Sequence, residues 1–217
     1  MLLPQGIQKN RRTRTEVNHV VVRNRTNIVL NEEQCAAIQE IEAMTPGTAL
    51  LHGVTGSGKT EIYVELSKRS IKRNQSVIIL VPEIALTSQL LDEFVAVFKD
   101  KVVVTHSRQT ESERHIIWKK VLYTKTPLII IGPRSALFMP VRNLGLICID
   151  EAHEPSFKQE QSPRYSALRV ASVLASQYKA KVAIGSATPL VTDYYLAKHS
   201  ERPIIRLARP ARSSAIS

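Results

Sequence analysis

The sequence predicts an α/β protein built on a parallel sheet with helices on both faces. Three observations lead there. First, short apolar runs recur at 48–52, 76–81, 102–104, 128–132, 146–149 and 182–184. Several are β-branched and none alternates with polar residues, as expected of strands buried on both faces. Second, segments with helical spacing lie between several of them. Third, strands alternating with helices call for right-handed crossovers in one sheet.

The chain has 217 residues, the size of one good-sized domain. No stretch has the length and apolarity of a membrane span, and the N-terminus has no apolar signal-like core. Cys35 and Cys148 are the only cysteines and neither sits in a metal-like cluster, so a reducing cytoplasm is expected and zinc is not. The net charge is +11. Residues 1–29 hold six Lys/Arg against one acid, and residues 201–217 hold four Arg against one acid. The basicity is therefore concentrated in the tails, which suit either nucleic-acid contact or a solvated linker.

Taken in order, residues 1–29 read as a basic linker or the remnant of a preceding region. Asn31 is a good N-cap, with Gln34 at the capping-box position and Ala37, Ile38 and Ile41 on one face. Gln34 is also placed to read an adenine edge; spacing favours the cap. Pro46-Gly47 closes this segment. After the first strand comes Gly53-Val54-Thr55-Gly56-Ser57-Gly58-Lys59-Thr60, a phosphate-loop pattern followed by a helix over 61–73. Gly56 and Gly58 allow φ > 0, so the backbone can wrap closely round a phosphate. The amides at the helix start point inward with its partial positive charge. Lys59 is expected to reach the β- and γ-phosphates of ATP, and Thr60 to hold Mg²⁺.

The second strand ends at Pro82-Glu83, and Leu86, Leu90, Leu91, Phe94 and Phe98 follow at helical spacing. A short strand closes at His106-Ser107, and a helix over 111–123 carries the only Trp, Trp118. The strand at 146–149 runs into Asp150-Glu151-Ala152-His153. Two carboxylates at the carboxyl edge of a sheet lie where α/β ligands bind. Asp150 is placed for the Mg²⁺ shell and Glu151 to polarise the attacking water; His153 has no evident acid–base task. The next strand ends in Gly185-Ser186-Ala187-Thr188-Pro189. Ser186 and Thr188 either sense the γ-phosphate through the acidic pair or simply cap a helix before Leu190. Phe157 and Tyr165 offer stacking faces, and Lys158 and Arg164 phosphate contacts; the alternative is that these aromatics tuck onto the domain.

In this order the motifs resemble the first motor lobe of a superfamily-2 helicase, a RecA-like fold, over residues 30–207. The resemblance strengthens the adenine role of Gln34. The chain is more specifically similar to the PriA family of bacterial primosomal helicases. The stretches 81–87, with Pro82 and Thr87, and 132–138, with Arg134 and Ser135, support this. So does Phe157-Lys158-Gln159 followed by Pro163-Arg164-Tyr165, which looks like the family's aromatic-rich loop. Pro133, Ala152 and Phe157 depart from its usual Thr, Glu and Tyr. The resemblance implies ATP hydrolysis coupled to movement on single-stranded or forked DNA, with other primosome proteins as partners and no membrane. It also implies a second lobe and a zinc-binding cysteine cluster that this chain is expected to lack, leaving 208–217 as a tail. A RecG-like or restriction-type translocase lobe, or a binding module without turnover, remain the alternatives.

Overall fold

A computed structural model describes residues 30–83 and 89–208. Seven strands form one sheet in the order β3-β4-β2-β5-β8-β1-β9, and every neighbouring pair is parallel. They are β1 (Gly47–Gly53), β2 (Ser76–Leu80), β3 (Val102–Val104), β4 (Ile129–Gly132), β5 (Leu144–Ile149), β8 (Lys181–Ser186) and β9 (Ile204–Leu207). A separate antiparallel ribbon pairs β6 (Lys158–Gln159) with β7 (Tyr165–Ser166). The six runs picked out in the sequence are all strands of the one sheet. β9 joins them at the edge, beside β1.

The sheet separates two apolar layers, and the strands supply alternate residues to each. Leu51, Val77, Ile79, Ile129, Ile131 and Cys148 belong to one core; Leu50, Ile78, Leu80, Ile130, Ile147 and Ile149 belong to the other. This is why the runs read as continuously apolar: side chains alternate direction, but both directions are dry. Each such side chain contributes about 1.5–3 kcal/mol on burial.

Helices α1 (Glu32–Ala43), α2 (Lys59–Lys72) and α3 (Gln89–Phe98) supply the first layer. The capping box of α1 forms as expected: Gln34 N donates to Asn31 Oδ1 and Asn31 N to Gln34 Oε1, both at 2.8 Å. α3 buries Leu90, Phe94 and Phe98; Leu86 and Thr87 of the preceding stretch lie outside the described residues, as do 1–29 and 209–217. α4 (Glu111–Tyr123) buries only Val121, and its Trp118 is exposed. On the second layer, α5 (Ala167–Tyr178) presents Ala167, Ala171 and Ala175. Small residues four apart form one stripe and let the helix axis approach the strands closely. α6 (Val191–His199) follows the end of β8.

Strand order positions the chemistry. β5, β8 and β1 are adjacent, so the segments that follow them emerge side by side at one edge. These are Asp150-Glu151, Ala187-Thr188 and the glycine-rich loop. β2, β4 and β3 deliver Pro82, Arg134 and His106 to the other half of the same edge.

Candidate nucleotide site and adjoining hairpin

The loop after β1 takes the geometry its glycines allow. Gly56 has φ +79° and Gly58 φ +83°, conformations that cost an L side chain on the order of 1–2 kcal/mol. Gly58 is the N-cap of α2 and offers no side-chain cap. The first amides of α2 thus have no side-chain acceptor from the cap residue, and the helix end carries partial positive charge. This cradle fits an anion. Thr55 and Gly56 are exposed, Ser57 is buried beneath the loop, and Thr60 is half-buried. α2 starts two residues earlier than its apolar pattern alone suggests, because Lys59 and Thr60 already belong to its first turn.

Lys59 is buried, with Nζ donating to Gly53 O at 2.8 Å and Val54 O at 3.5 Å. Glu151 Oε1 lies 4.0 Å from the same Nζ. The ammonium therefore sits between the loop and the acidic pair. Glu151 has φ +46°, a left-handed backbone that a non-glycine residue holds at a cost of about 1–3 kcal/mol.

Asp150 is half-buried and accepts a hydrogen bond from Tyr63 Oη at 3.3 Å. Burial first, then the adjacent Glu151 charge, raise its carboxyl pKa to about 6, against the opposing pull of Lys59. Burial also pushes the Tyr63 hydroxyl well above its ordinary range, with Asp150 adding to the effect, so it is a donor at neutral pH. A carboxylate this poorly solvated is well matched to a cation, and the half-buried Thr60, in the first turn of α2, carries a hydroxyl. Among the described residues no cluster of three or more His, Cys, Asp or Glu could hold a metal. A hard divalent cation held by one carboxylate, one hydroxyl and phosphate oxygens needs no such cluster.

Three details differ from the sequence reading. Gln34 does more than cap: its Nε2 donates to Gly58 O at 3.3 Å, so α1 is tied to the phosphate loop. Both ends of its amide are engaged inside the protein. Ser186 does not bond the acidic pair directly. Its Oγ meets His153 Nδ1 at 2.9 Å and accepts from Thr188 N at 3.1 Å. His153 Nδ1 in turn lies 3.5 Å from Glu151 Oε2, so this histidine, given no task by spacing alone, joins the acidic stretch to the segment after β8. Only its position, two residues past the acidic pair, hinted at it.

The third difference concerns Phe157. It is 1% exposed and packed in the second core, so it offers no stacking face. The partly exposed aromatic of the hairpin is Tyr165, which meets the exposed ring of Phe138 edge-on with centroids 5.4 Å apart. Phe138 was legible only as part of the 132–138 stretch. Arg134, from the same stretch, holds the hairpin: Nη1 donates to Ser156 O at 2.6 Å and Lys158 O at 2.9 Å, and Nη2 donates to Gln159 Oε1. Its neighbour Ser135 is exposed, as are Lys158 and Arg164, and Arg164 Nε donates to Glu160 O at 2.9 Å. Pro82 is buried at the end of β2 and Thr188 is exposed.

This edge gathers a glycine-rich loop, an acidic pair and a coupled serine on adjacent strands. The chain belongs to the DEAD/DEAH box helicase family, whose pattern matches residues 31–194. It is 41% identical over 182 residues to the replication restart protein PriA of Bacillus subtilis (strain 168), covering 82% of this chain and 22% of that protein. The PriA of Synechocystis is 46% identical over 156 residues, covering 71% of this chain and 19% of that one. The chain thus spans about a fifth of the length of these curated relatives. Two solved structures share the fold. RecG bound to a three-way DNA junction has a TM-score of 0.58 at 21% identity, over 88% of this chain and 25% of that one. The helicase domain of Pyrococcus furiosus Hef has 0.58 at 20% identity, over 83% and 38%.

Proposed function

We propose that this chain is the ATP-binding motor lobe of a PriA-like DNA helicase acting in replication restart and primosome assembly in the cytoplasm. The observation that carries the reading is the adjacency of the glycine-rich loop, Asp150-Glu151 and Ser186 on neighbouring strands, with Arg134 clamping a basic aromatic hairpin on the same edge. The similarity to PriA proteins supports the specific assignment.

In this reading the amides from Gly56 to Thr60 hold the phosphates, and Lys59 leaves its carbonyl partners to neutralise the β- and γ-phosphates. Gln34 reads adenine by exchanging an internal partner for the base. Thr60 and Asp150 would hold Mg²⁺, which would supply charge screening for the phosphates. Glu151 accepts the proton of the attacking water. Ser186, Thr188 and His153 report the state of this site to the rest of the edge. The hairpin bearing Lys158, Arg164 and Tyr165, with Phe138 beside it, contacts single-stranded or forked DNA; Pro82 and Ser135 lie on the same half, and Thr87 remains a DNA-coupling candidate from the sequence alone. Arg134 transmits the contact by holding the hairpin rather than by touching DNA.

The test compares ATP turnover of the longer helicase with and without single-stranded DNA. Stimulation by DNA that depends on Tyr165 and Phe138 is the expected result. Absence of turnover in the presence of Mg²⁺ and DNA would instead favour a nucleotide-binding module.

A further inference from the structure

Lys59 and Tyr63 stand four residues apart on α2 and so share one face of the helix. Both cross the same point of β8. A Cβ added to Gly185 would lie 1.7 Å from the Tyr63 hydroxyl, 3.0 Å from its ring carbon Cζ and 3.4 Å from Lys59 Cδ. Gly185 is therefore the one residue type that lets the tyrosine reach past the strand. The hydroxyl it admits ends 3.3 Å from Asp150 Oδ1, at the head of the neighbouring strand β5. Gly185 O also accepts from Ala152 N at 2.9 Å, tying the turn after Asp150 to the same residue. Tyr63 is fully buried, so its hydroxyl is closed off from bulk solvent.

We propose that Tyr63 is a positioning residue for the Asp150 carboxylate, and that Gly185 is glycine because the Tyr63 hydroxyl occupies the space its side chain would fill. The proposal rests on the reading of Asp150 as a Mg²⁺-holding group. Tyr63 touches neither nucleotide nor metal; it fixes the rotamer of the group that does. A flexible carboxylate would have to be ordered each time a cation bound, and the buried hydroxyl meets that ordering cost during folding. The bond is long for O–H···O, as hydrogen bonds in catalytic sites commonly are before the ligand tightens them.

Two measurements on the 217-residue chain test this. The first is the Mg²⁺ concentration that half-restores binding of a fluorescent ADP analogue after chelation. Tyr63→Phe keeps the ring and should leave Mg²⁺-free binding of the analogue at the wild-type level while raising the Mg²⁺ midpoint by about tenfold, the worth of a hydrogen bond to a charged group. The second is thermal unfolding without ligand, as a double-mutant cycle. Gly185→Ala should lower the melting temperature sharply. Tyr63→Phe/Gly185→Ala should recover part of that loss, because the 1.7 Å overlap is removed and the 3.0 Å contact needs only a small shift.

An unchanged Mg²⁺ midpoint in Tyr63→Phe overturns the positioning role, even if the melting temperature falls, since packing alone would then explain the residue. A Gly185→Ala variant as stable as wild type, or no recovery in the double variant, overturns the steric half. If the wild-type chain binds the analogue with no response to Mg²⁺, the Mg²⁺-holding role of Asp150 fails and the positioning role with it; the unfolding cycle still decides the Tyr63–Gly185 contact.

Discussion

Lys59 and Asp150 both sit in surroundings that favour ligand over the bare protein. Lys59 spends its ammonium on two loop carbonyls and a distant carboxylate, so Lys59→Ala removes little that the core needs. It should keep the fold, as judged by its melting curve, and lose most nucleotide affinity in a calorimetric titration with ATP and Mg²⁺. Asp150 carries the opposite balance. Its pKa rises from 3.8 to about 6 on folding. A raised folded pKa means the favourable contribution is complete below pH 4 and is lost as pH climbs through 6. Above that pH the ionised carboxylate costs the fold about 1–3 kcal/mol, from roughly 1.4 kcal/mol per pKa unit. Asp150→Asn should therefore melt higher than wild type in metal-free buffer at pH 7.5, with the gain vanishing near pH 4, while Mg²⁺-dependent nucleotide binding weakens. Equal melting temperatures at both pH values would show that burial does not strain this carboxylate. Glu151→Gln in the longer enzyme should keep ATP binding and reduce turnover by roughly 10²–10⁴-fold, the range for a general acid–base group.

The displayed hairpin over 158–166 follows directly on the buried Phe157. Phe157→Ala should destabilise the lobe by about 3–5 kcal/mol, as for other buried aromatics, read as a shift in the denaturant midpoint. Replacing Tyr165 and Phe138 by Ala should cost little stability but weaken single-stranded DNA binding, at about 1–3 kcal/mol for each base stack lost. Arg134→Ala should loosen the hairpin and reduce DNA stimulation of turnover more than basal turnover. Much of this element level was legible in the sequence. The β-branched runs identified the strands because burial on both faces leaves no alternation to misread, and Asn31–Gln34 announced the start of α1. Phe157 was misplaced because an aromatic beside Lys158 has the same local signature whether it faces solvent or a core; only its place in the second core decides. The links from Gln34 to Gly58, His153 to Ser186 and Tyr63 to Asp150 join residues 24, 33 and 87 positions apart. No local pattern encodes such pairs, since the packing of elements distant in sequence creates them.

At the scale of the molecule, one sheet sets the glycine-rich loop, the acidic pair and Ser186 at the ends of β1, β5 and β8, and Arg134, which clamps the hairpin, after β4. In the proposed reading the described residues form one wall of the nucleotide cleft, and the chain spans about a fifth of the PriA relatives. The two cores need nothing further to be covered on the sheet's faces, so the 217-residue chain should fold by itself and bind ATP weakly. Its turnover should be slow, because a cationic finger from a facing lobe supplies about 10³–10⁵ in related phosphoryl-transfer enzymes. Movement along DNA requires two bodies that close and open with the nucleotide cycle, so this chain alone should not separate strands. Beside any stacking on Tyr165 and Phe138, its DNA affinity should rest on phosphate contacts by Lys and Arg, and that part should fall steeply with salt. A strand-displacement assay on a forked duplex, with this chain at micromolar concentration and saturating ATP, checks the whole argument. Background-level unwinding is expected; robust ATP-dependent unwinding would mean that one wall suffices, and that closure against a second body is not what drives the motor.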